Sequence, residues 1–191
     1  MSNAATSSPR WDPAFIADVI KAYDVRGLVD EQITVDFVRA VGQSFSRLMR
    51  SEGALSVVVA HDMRDSGPEL AEAFAEGVTE QGLNVINIGL ASTDEMYCAS
   101  GLLQVPGAMF TASHNPAAYN GIKLCRAGAR PVGQDTGLAT ISQELAEGVP
   151  ESNGAHGHVT NRDMLQDYAD YLNKLVDPVS YTHLRAHETR H

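Results

Sequence analysis

The chain has 191 residues, of which 43% are hydrophobic and 20% charged, the balance of a globular protein long enough for one complete domain and part of another. The net charge of -10 argues against nucleic acid or an anionic membrane surface as a partner, because the Lys and Arg residues are scattered along the chain. No run is long and apolar enough to span a bilayer, and residues 1–9 lack the apolar core of a secretory signal, so we expect a cytoplasmic protein.

The N-terminal part predicts disorder followed by a short functional candidate. Residues 1–12 are rich in small and polar residues without hydrophobic periodicity, and we expect them to be disordered. The fold begins near Phe15 and reaches residues 21–27, which read KAYDVRG. This segment predicts either a strand leading into a glycine turn or a site at which Arg26 directs its forked donors at a phosphate. Spacing alone favours the strand.

Helical and strand patterns then alternate along the chain. Thr34 is the predicted N-cap of a helix that ends before Gly53. Thr93 is the predicted N-cap of another helix, which ends at Leu103. Between and after these helices we predict buried strands over residues 55–60, 83–88 and 107–111, and a further helix over residues 67–81. Helices of this length between buried strands predict an α/β fold, a three-layer αβα domain with a mostly parallel sheet.

Polar loops follow the predicted strands at one edge of this sheet. Because the carboxyl ends of parallel strands share an edge, the loops over residues 23–27, 61–67 and 111–123 can converge. The second of them reads HDMRDSG and is either a capped loop or an anion site. Asp65 and Ser66 suit capping, whereas Arg64 is left unexplained by it.

The third loop holds the strongest candidate for chemistry. The stretch over residues 105–124 reads VPGAMFTASHNPAAYNGIKL, so an apolar strand delivers the small hydroxyl of Ser113 into a polar loop with His114, Asn115 and Lys123. Pro116 restricts the backbone of Asn115, and a nucleophile benefits from a constrained position. The alternative is that Ser113 caps a turn and His114 is a structural histidine.

The C-terminal part predicts a break and a second domain. We expect one domain over residues 13–148, a linker over residues 149–160 and the start of a second domain, with an amphipathic helix, over residues 161–178. Residues 179–191 read VSYTHLRAHETRH and resemble translated sequencing-adapter read-through, so we interpret them as a non-native tail. His156 and His158 are too few for a metal site, and we expect Cys98 and Cys125 to be buried free thiols.

Four segments carry a family resemblance. TASHNP over residues 111–116 and YNGIK over residues 119–123 resemble the α-D-phosphohexomutases, specifically their phosphomannomutase and phosphoglucomutase branch. The KAYDVRG and HDMRDSG segments match in the same order. Family members have four domains around a cleft, and the resemblance covers residues 15–175. It therefore implies the first domain and the start of the second, with the C-terminal domains as missing partners.

The resemblance implies an isomerase that moves a phosphoryl group between the 1- and 6-hydroxyls of a hexose phosphate. Ser113 would carry the phosphate, and a bisphosphorylated hexose would be the intermediate and activator. Lys123 would be the general acid and base with His114 second, and Arg26 would stabilise the phosphoserine. Tyr23, Arg64, Asn115 and Asn120 would be substrate-binding residues; Tyr23 would line the cleft, and Arg64 would also support the same loop edge as Arg26.

The resemblance also implies a Mg²⁺ ion bound to the phosphate on Ser113. Hard oxygen ligands favour this ion, and it would neutralise charge during phosphoryl transfer. The family's Asp-Gly-Asp-x-Asp-Arg loop, which supplies the other ligands, does not occur in this sequence. We therefore expect this 191-residue chain to be inactive by itself.

Two other functions remain open from the residues. One is a serine hydrolase using Ser113 with His114, although adjacent residues rarely place a base on its own neighbour and the G-x-S-x-G motif is absent. The other is a non-catalytic module that binds sugar phosphates.

Overall fold

The computed structural model describes residues 10–176, and that part contains six α-helices and seven strands. The helices are α1 (Pro13–Val19), α2 (Val35–Ser51), α3 (Gly67–Glu80), α4 (Thr93–Leu103), α5 (Leu138–Glu147) and α6 (Leu165–Leu175). The strands are β1 (Val25–Leu28), β2 (Ser56–His61), β3 (Asn84–Leu90), β4 (Gly107–Phe110), β5 (Tyr119–Arg126), β6 (Arg130–Pro131) and β7 (Val159–Asn161).

The strands form one sheet in the order β1-β5-β4-β2-β3-β7, with β6 beside β5. Strand β2 is parallel to both β3 and β4, and β3 is parallel to β7. Strand β5 pairs antiparallel with β1, β4 and β6. Among the described strands β5 therefore runs against the other six, so the predicted mostly parallel sheet is confirmed.

Helices cover both faces of the sheet. Val57 and Val59 of β2 belong to a large apolar core with residues of α2, α3 and α5, whereas Val58 and Ala60 belong to a smaller core with residues of α4. Alternate strand residues point to opposite faces, which explains the division of β2 between the two cores. The predicted three-layer αβα class is confirmed.

The predicted N-cap of α2 is confirmed, whereas those of α3 and α4 differ from the structure. Thr34 caps α2, since its Oγ1 accepts the N–H of Phe37 at 3.2 Å. At α4 the cap is Ser92, whose Oγ accepts the N–H of Glu95 at 3.1 Å, because Ser92 has the extended backbone that an N-cap needs. The expectation for Thr93 was wrong by one residue. Ser66 makes no capping bond to α3, and its Oγ instead accepts from Asn120.

Strand β5 is a correction to the expected loop over residues 111–123. Its Asn and Gly residues read as turn signals, which hid the strand. Tertiary packing requires the glycine, because a Cβ on Gly121 would lie 2.1 Å from the carbonyl oxygen of Val25 on β1. Lys123 therefore projects from a strand in the middle of the sheet.

The described residues just before and just after the expected domain, residues 13–148, pack against it. Trp11 was expected to be disordered, but its ring stacks on Phe15 and its backbone N–H donates to Leu145 O at 3.0 Å. In the expected linker Val149 is buried, and β7 pairs with β3. Met164 is also buried, in the core under α4. The division into domains stays a prediction, and the expectations for residues 1–9 and 177–191 lie outside the described residues.

Two smaller expectations concern the thiols and the membrane. Cys98 and Cys125 are free thiols; Cys125 is buried as expected, and Cys98 is partly exposed. None of the helices described has the length and apolar character needed to cross a bilayer.

Candidate functional site

Ser113 lies in the loop between β4 and β5, and we call residues 111–118 the serine loop. Its backbone is left-handed, with φ of 54°, a conformation that costs a serine about 1 kcal/mol or more. Two bonds support the turn: the N–H of Ser113 donates to Thr111 Oγ1 at 3.0 Å, and that of Asn115 donates to Ala112 O at 3.0 Å. The Ser113 side chain is therefore presented to solvent at a constrained turn.

Arg64, from the loop after β2, binds the backbone of the serine loop. Its Nη1 donates to the carbonyls of Pro116 at 2.9 Å and Tyr119 at 2.8 Å. Its Nη2 donates to those of Ser113 at 2.9 Å and Asn115 at 2.8 Å. The four Nη donors are thereby used, and the fifth donor of the guanidinium, at the buried Nε, faces Asp62 Oδ2 at 3.4 Å. Arg64 has no outward-facing donor left for a substrate phosphate, so the expected substrate-binding role does not fit this geometry.

Arg26 and Lys123 lie on one face of the sheet with an acidic residue between them. Arg26 is opposite Gly121 in the ladder between β1 and β5, and Lys123 is two residues further along β5. Arg26 Nη2 lies 2.6 Å from Asp24 Oδ2, and Lys123 Nζ lies 3.6 Å from the same oxygen. Asp24 therefore holds the two cations together.

Arg26 also joins this charged group to the serine loop. Its Nη1 lies 3.4 Å from Asn115 Oδ1. Its Nε is buried and has no acceptor in the described part of the chain. An unsatisfied buried N–H is costly, and an acceptor such as a phosphate oxygen would relieve that cost. The structure thus brings Arg26, Asn115 and the serine loop together, and ties Lys123 to Arg26 through Asp24.

His114 lies beside Ser113 but has a weak contact with it. The distance from Ser113 Oγ to His114 Nδ1 is 3.4 Å, at the long limit for a hydrogen bond, and both side chains are exposed. This geometry leaves His114 free to turn towards a ligand.

Two other expected residues differ strongly in exposure. The Tyr23 side chain is 78% exposed, so it is accessible to a ligand. Asn120 is fully buried, its Nδ2 donates to Ser66 Oγ at 2.9 Å and its Oδ1 accepts the N–H of Gly121 at 2.8 Å. Asn120 therefore joins β5 to the start of α3, and the substrate-binding role expected of it does not fit.

An open cavity of about 720 Å³ lies beside the serine loop. Ser113, His114 and Asn115 line it on one side, and Met63 and Asp65 on another. Its volume is within the range of small-molecule sites. A ligand the size of a sugar phosphate has room next to the Ser113 hydroxyl.

The phenol of Tyr97 on α4 is a neutral group on the same side of the sheet as Asp24. Burial raises the pKa of the Tyr97 phenol, and the charges of Cys125, Asp94 and Asp24 raise it further. Tyr97 therefore keeps its proton at neutral pH and can act as a hydrogen-bond donor.

The side chains of the described residues do not form a complete metal site. Within residues 10–176 no group of three or more His, Cys, Asp or Glu side chains could hold a metal ion. Mg²⁺ takes six oxygen ligands, and the expected ligand from the described residues is a phosphate oxygen on Ser113, if Ser113 is phosphorylated. The donor set thus does not fit the expected Mg²⁺ by itself.

Sequence reasoning missed three residues that shape this site: Asp24, Asp62 and Thr111. Asp24 could have been found, because it lies two residues before Arg26 and alternate strand residues share a face. Asp62 and Thr111 could have been found as well, because each accepts the backbone N–H of the residue two positions later, Arg64 and Ser113, a turn that Asp and Thr side chains commonly form.

Comparisons with known proteins agree with the motifs. The family model described as phosphoglucomutase/phosphomannomutase, alpha/beta/alpha domain I, matches residues 17–150. A phosphomannomutase of Vibrio cholerae is 38% identical over 162 residues, which are 83% of this chain and 35% of that protein. A Xanthomonas campestris protein named phosphohexose mutases is 37% identical, over 86% of this chain and 35% of its own length.

Solved structures agree as well. A phosphoglucomutase/phosphomannomutase family protein of Burkholderia thailandensis superimposes with a TM-score of 0.74 at 28% identity, covering 85% of this chain and 36% of that one. A putative phosphomannomutase of Thermus thermophilus superimposes with a TM-score of 0.75 at 25% identity, covering 92% of this chain and 38% of that one. The chain spans about a third of the length of the relatives it matches.

Proposed function

Because the chain belongs to the phosphoglucomutase/phosphomannomutase family, we propose that it is the phosphoserine-bearing domain of a phosphohexomutase. The reaction is an isomerisation in which a phosphoryl group moves between the 1- and 6-positions of a hexose phosphate. The substrate is a hexose phosphate, and the remaining C-terminal domains of the enzyme are partners of this chain. The cytoplasmic location and Mg²⁺ dependence of the complete enzyme stay predictions.

In the proposed reaction Ser113 gives and receives the phosphoryl group. The bond from phosphorus to Ser113 Oγ breaks as a sugar hydroxyl bonds to phosphorus. The proton of that hydroxyl passes to the neutral amine of Lys123 or, second, to His114, and the same residue returns a proton to the Ser113 oxygen. The bisphosphorylated hexose then turns and returns its other phosphoryl group to Ser113. Positioning and charge stabilisation carry most of the catalysis of such transfers.

One observation carries the proposal: Arg26 contacts the serine loop and the carboxylate shared with Lys123 at the same time. A phosphoryl group on Ser113 would add negative charge to the loop that Arg26 contacts. Arg26 still has an unpaired Nε donor for it. Tyr23, His114 and Asn115 are the side chains left to contact the sugar phosphate.

Mass spectrometry of the freshly purified chain tests the proposal. We expect phosphate on Ser113, and its removal in Ser113→Ala. Ser142, an α5 residue whose hydroxyl donates to Leu138 O, provides a matched control variant, Ser142→Ala, which should keep the phosphate. The proposal fails if Ser113 is unmodified and remains so after incubation with a hexose bisphosphate.

A sugar-phosphate binding module is the second candidate, favoured by the cavity beside Ser113 and by the incomplete metal site in the described part of the chain. It predicts hexose phosphate binding without phosphate transfer to Ser113. A serine hydrolase has weaker support, because the Ser113–His114 contact is long and His114 has no carboxylate partner in the described residues. Labelling of Ser113 by a fluorophosphonate would favour it.

A further inference from the structure

The guanidinium of Arg64 is bound to the serine loop in a way that no proposed catalytic role uses. We propose that Arg64 is a positioning residue that sets the shape of the serine loop and, through it, the place of the Ser113 hydroxyl. The positioning role follows from the contacts of Arg64 with the serine loop and with Asp62. Its consequence for phosphoryl transfer rests on the proposed function.

Four backbone carbonyls accept hydrogen bonds from the Arg64 guanidinium. Nη1 binds the carbonyls of Pro116 and Tyr119, and Nη2 binds those of Ser113 and Asn115, all within 2.8 to 2.9 Å. Hydrogen bonds from a charged donor are stronger than those between neutral groups. The four carbonyls are therefore bound to one guanidinium group, which comes from the loop after β2.

Asp62 holds that centre in place. Its Oδ1 accepts the backbone N–H of Arg64 at 3.0 Å, and its Oδ2 forms an ion pair with Arg64 Nε at 3.4 Å. Asp62 is attached in turn to the end of β4, since its own N–H donates to Phe110 O at 2.9 Å. The guanidinium is thus located relative to the strand from which the serine loop leaves.

Apart from Arg64, the serine loop is held mainly by its own short turns. The N–H groups of Ser113, Asn115 and Tyr119 donate to Thr111 Oγ1, Ala112 O and Pro116 O. Its bonds to other elements are from the N–H of Thr111 to Gly121 O, from the N–H of Val29 to Ala118 O, and the 3.4 Å contact of Asn115 Oδ1 with Arg26. Ser113, His114 and residues 116–118 are exposed, and Ser113 has a left-handed backbone. Exposed loops with few contacts open easily, so the bonds from Arg64 supply much of the order of this one.

Lysine cannot replace this arginine. An ammonium carries three donors on one nitrogen, whereas the planar guanidinium reaches four carbonyls from two nitrogens. The Arg64 side chain is only 10% exposed, so water does not readily substitute for the lost bonds. Arg64→Lys keeps the charge and loses the geometry.

Hydrogen exchange of the whole 191-residue chain tests the inference. In Arg64→Lys and Arg64→Ala we expect the amides of residues 113, 115 and 119, which are hydrogen-bonded in the turns of this segment, to exchange about tenfold faster or more, with α2 and β2 unchanged. Arg126→Lys is the matched control, because Arg126 is 19% exposed and binds Glu52 at the far end of β5. That variant should leave the serine loop at the wild-type rate.

Chemical rescue separates positioning from general stability. Millimolar guanidinium chloride, far below denaturing concentrations, should restore protection of the serine loop in Arg64→Ala, and equal sodium chloride should not. A residue needed only for overall stability would speed exchange throughout the chain and would not be rescued. Wild-type exchange in Arg64→Lys, or no rescue of Arg64→Ala, overturns the inference.

Phosphate on Ser113, measured in the same samples, tests the functional consequence. We expect about tenfold less phosphate in Arg64→Lys than in the wild type or Arg126→Lys. Equal occupancy would overturn that consequence. If the wild type itself carries none, the proposed function fails, while the exchange comparison still decides the role of Arg64.

Discussion

At the scale of single residues, Asp24 balances the charge of the candidate site. Its Oδ2 lies within reach of both Arg26 and Lys123, so without phosphate it is the anion that these two cations share. A phosphoryl group on Ser113 or on a substrate would compete with Asp24 for the same donors. On the proposed function, the Asp24 carboxylate would therefore weaken the attraction of the site for phosphate.

Removal of the Asp24 charge should increase that attraction. We expect Asp24→Asn to bind inorganic phosphate about tenfold more tightly, since losing one negative charge about 4 Å from the cations is worth on the order of 1 kcal/mol or more. Titration followed by NMR of the serine-loop amides measures it. Asp167→Asn is the control, because Asp167 pairs with exposed Arg162 on the protein surface. Unchanged or weaker binding in Asp24→Asn would contradict this account.

The two thiols provide a prediction with a pH dependence. Burial raises the pKa of both Cys98 and Cys125, so each has less thiolate at a given pH than an exposed cysteine. We expect alkylation to accelerate with rising pH, and Cys98 to react about tenfold faster than Cys125, which is fully buried. In urea the two rates should become similar.

The same raised pKa values predict a pH dependence of stability. Because the thiols ionise at lower pH in the unfolded chain than in the folded protein, the free energy of unfolding should fall as pH rises past the ordinary thiol range.

At the scale of elements, two glycines let α2 and α3 pack closely. A Cβ on Gly77 of α3 would lie 2.1 Å from Arg39 O, and one on Gly42 of α2 would lie 2.5 Å from Phe74 O. Backbone cannot yield as a flexible side chain can, so either side chain would push the helices apart. This contact supports the sheet face that carries the larger core.

We expect Gly77→Ala to lower the free energy of unfolding by about 2–3 kcal/mol through overpacking. Gly101→Ala is the matched control, because Gly101 lies in α4 and a Cβ added there would meet no atom within 4 Å. Alanine also has a higher helix propensity than glycine. That change should be neutral or stabilise by up to about 1 kcal/mol. Urea unfolding of both variants measures the difference. Equal stabilities would show that the helices can separate without cost.

At the scale of the whole molecule, the described residues hold the serine loop but no complete metal site. The described residues contain no cluster able to bind a metal, and the chain spans about a third of its relatives. The cavity beside Ser113 is open to solvent. On the proposed function, catalysis would need further residues from outside the described part.

This chain by itself should neither turn over substrate nor depend on Mg²⁺. We expect no interconversion of mannose 1- and 6-phosphates, and a change in Tm of less than about 1 °C between Mg²⁺ and EDTA, because an ion that binds weakly stabilises little. Thermal unfolding and a coupled phosphomutase assay measure the two quantities. Turnover, or a clear rise in Tm with Mg²⁺, would show that the chain completes a metal site.

The sequence by itself determined the layered α/β class, the helix begun by Thr34 and the position of Ser113 after a buried strand. These features follow from local patterns: hydrophobic period, capping residues and glycine stops act over a few neighbouring residues. The family motifs likewise lie in short contiguous segments. Each could be read without knowing what the segment packs against.

Only the tertiary structure decided how Arg64, Asp24 and Asn120 are used. The four Nη donors of Arg64 are taken up by the serine loop and Tyr119, Asp24 is shared by two strands, and Asn120 is buried against Ser66. Strand β5 also escaped prediction, because its glycine serves a close approach to β1 rather than a turn. Their roles depend on partners tens of residues away in the chain. Such pairings are set by the packing of the sheet, which no local pattern contains.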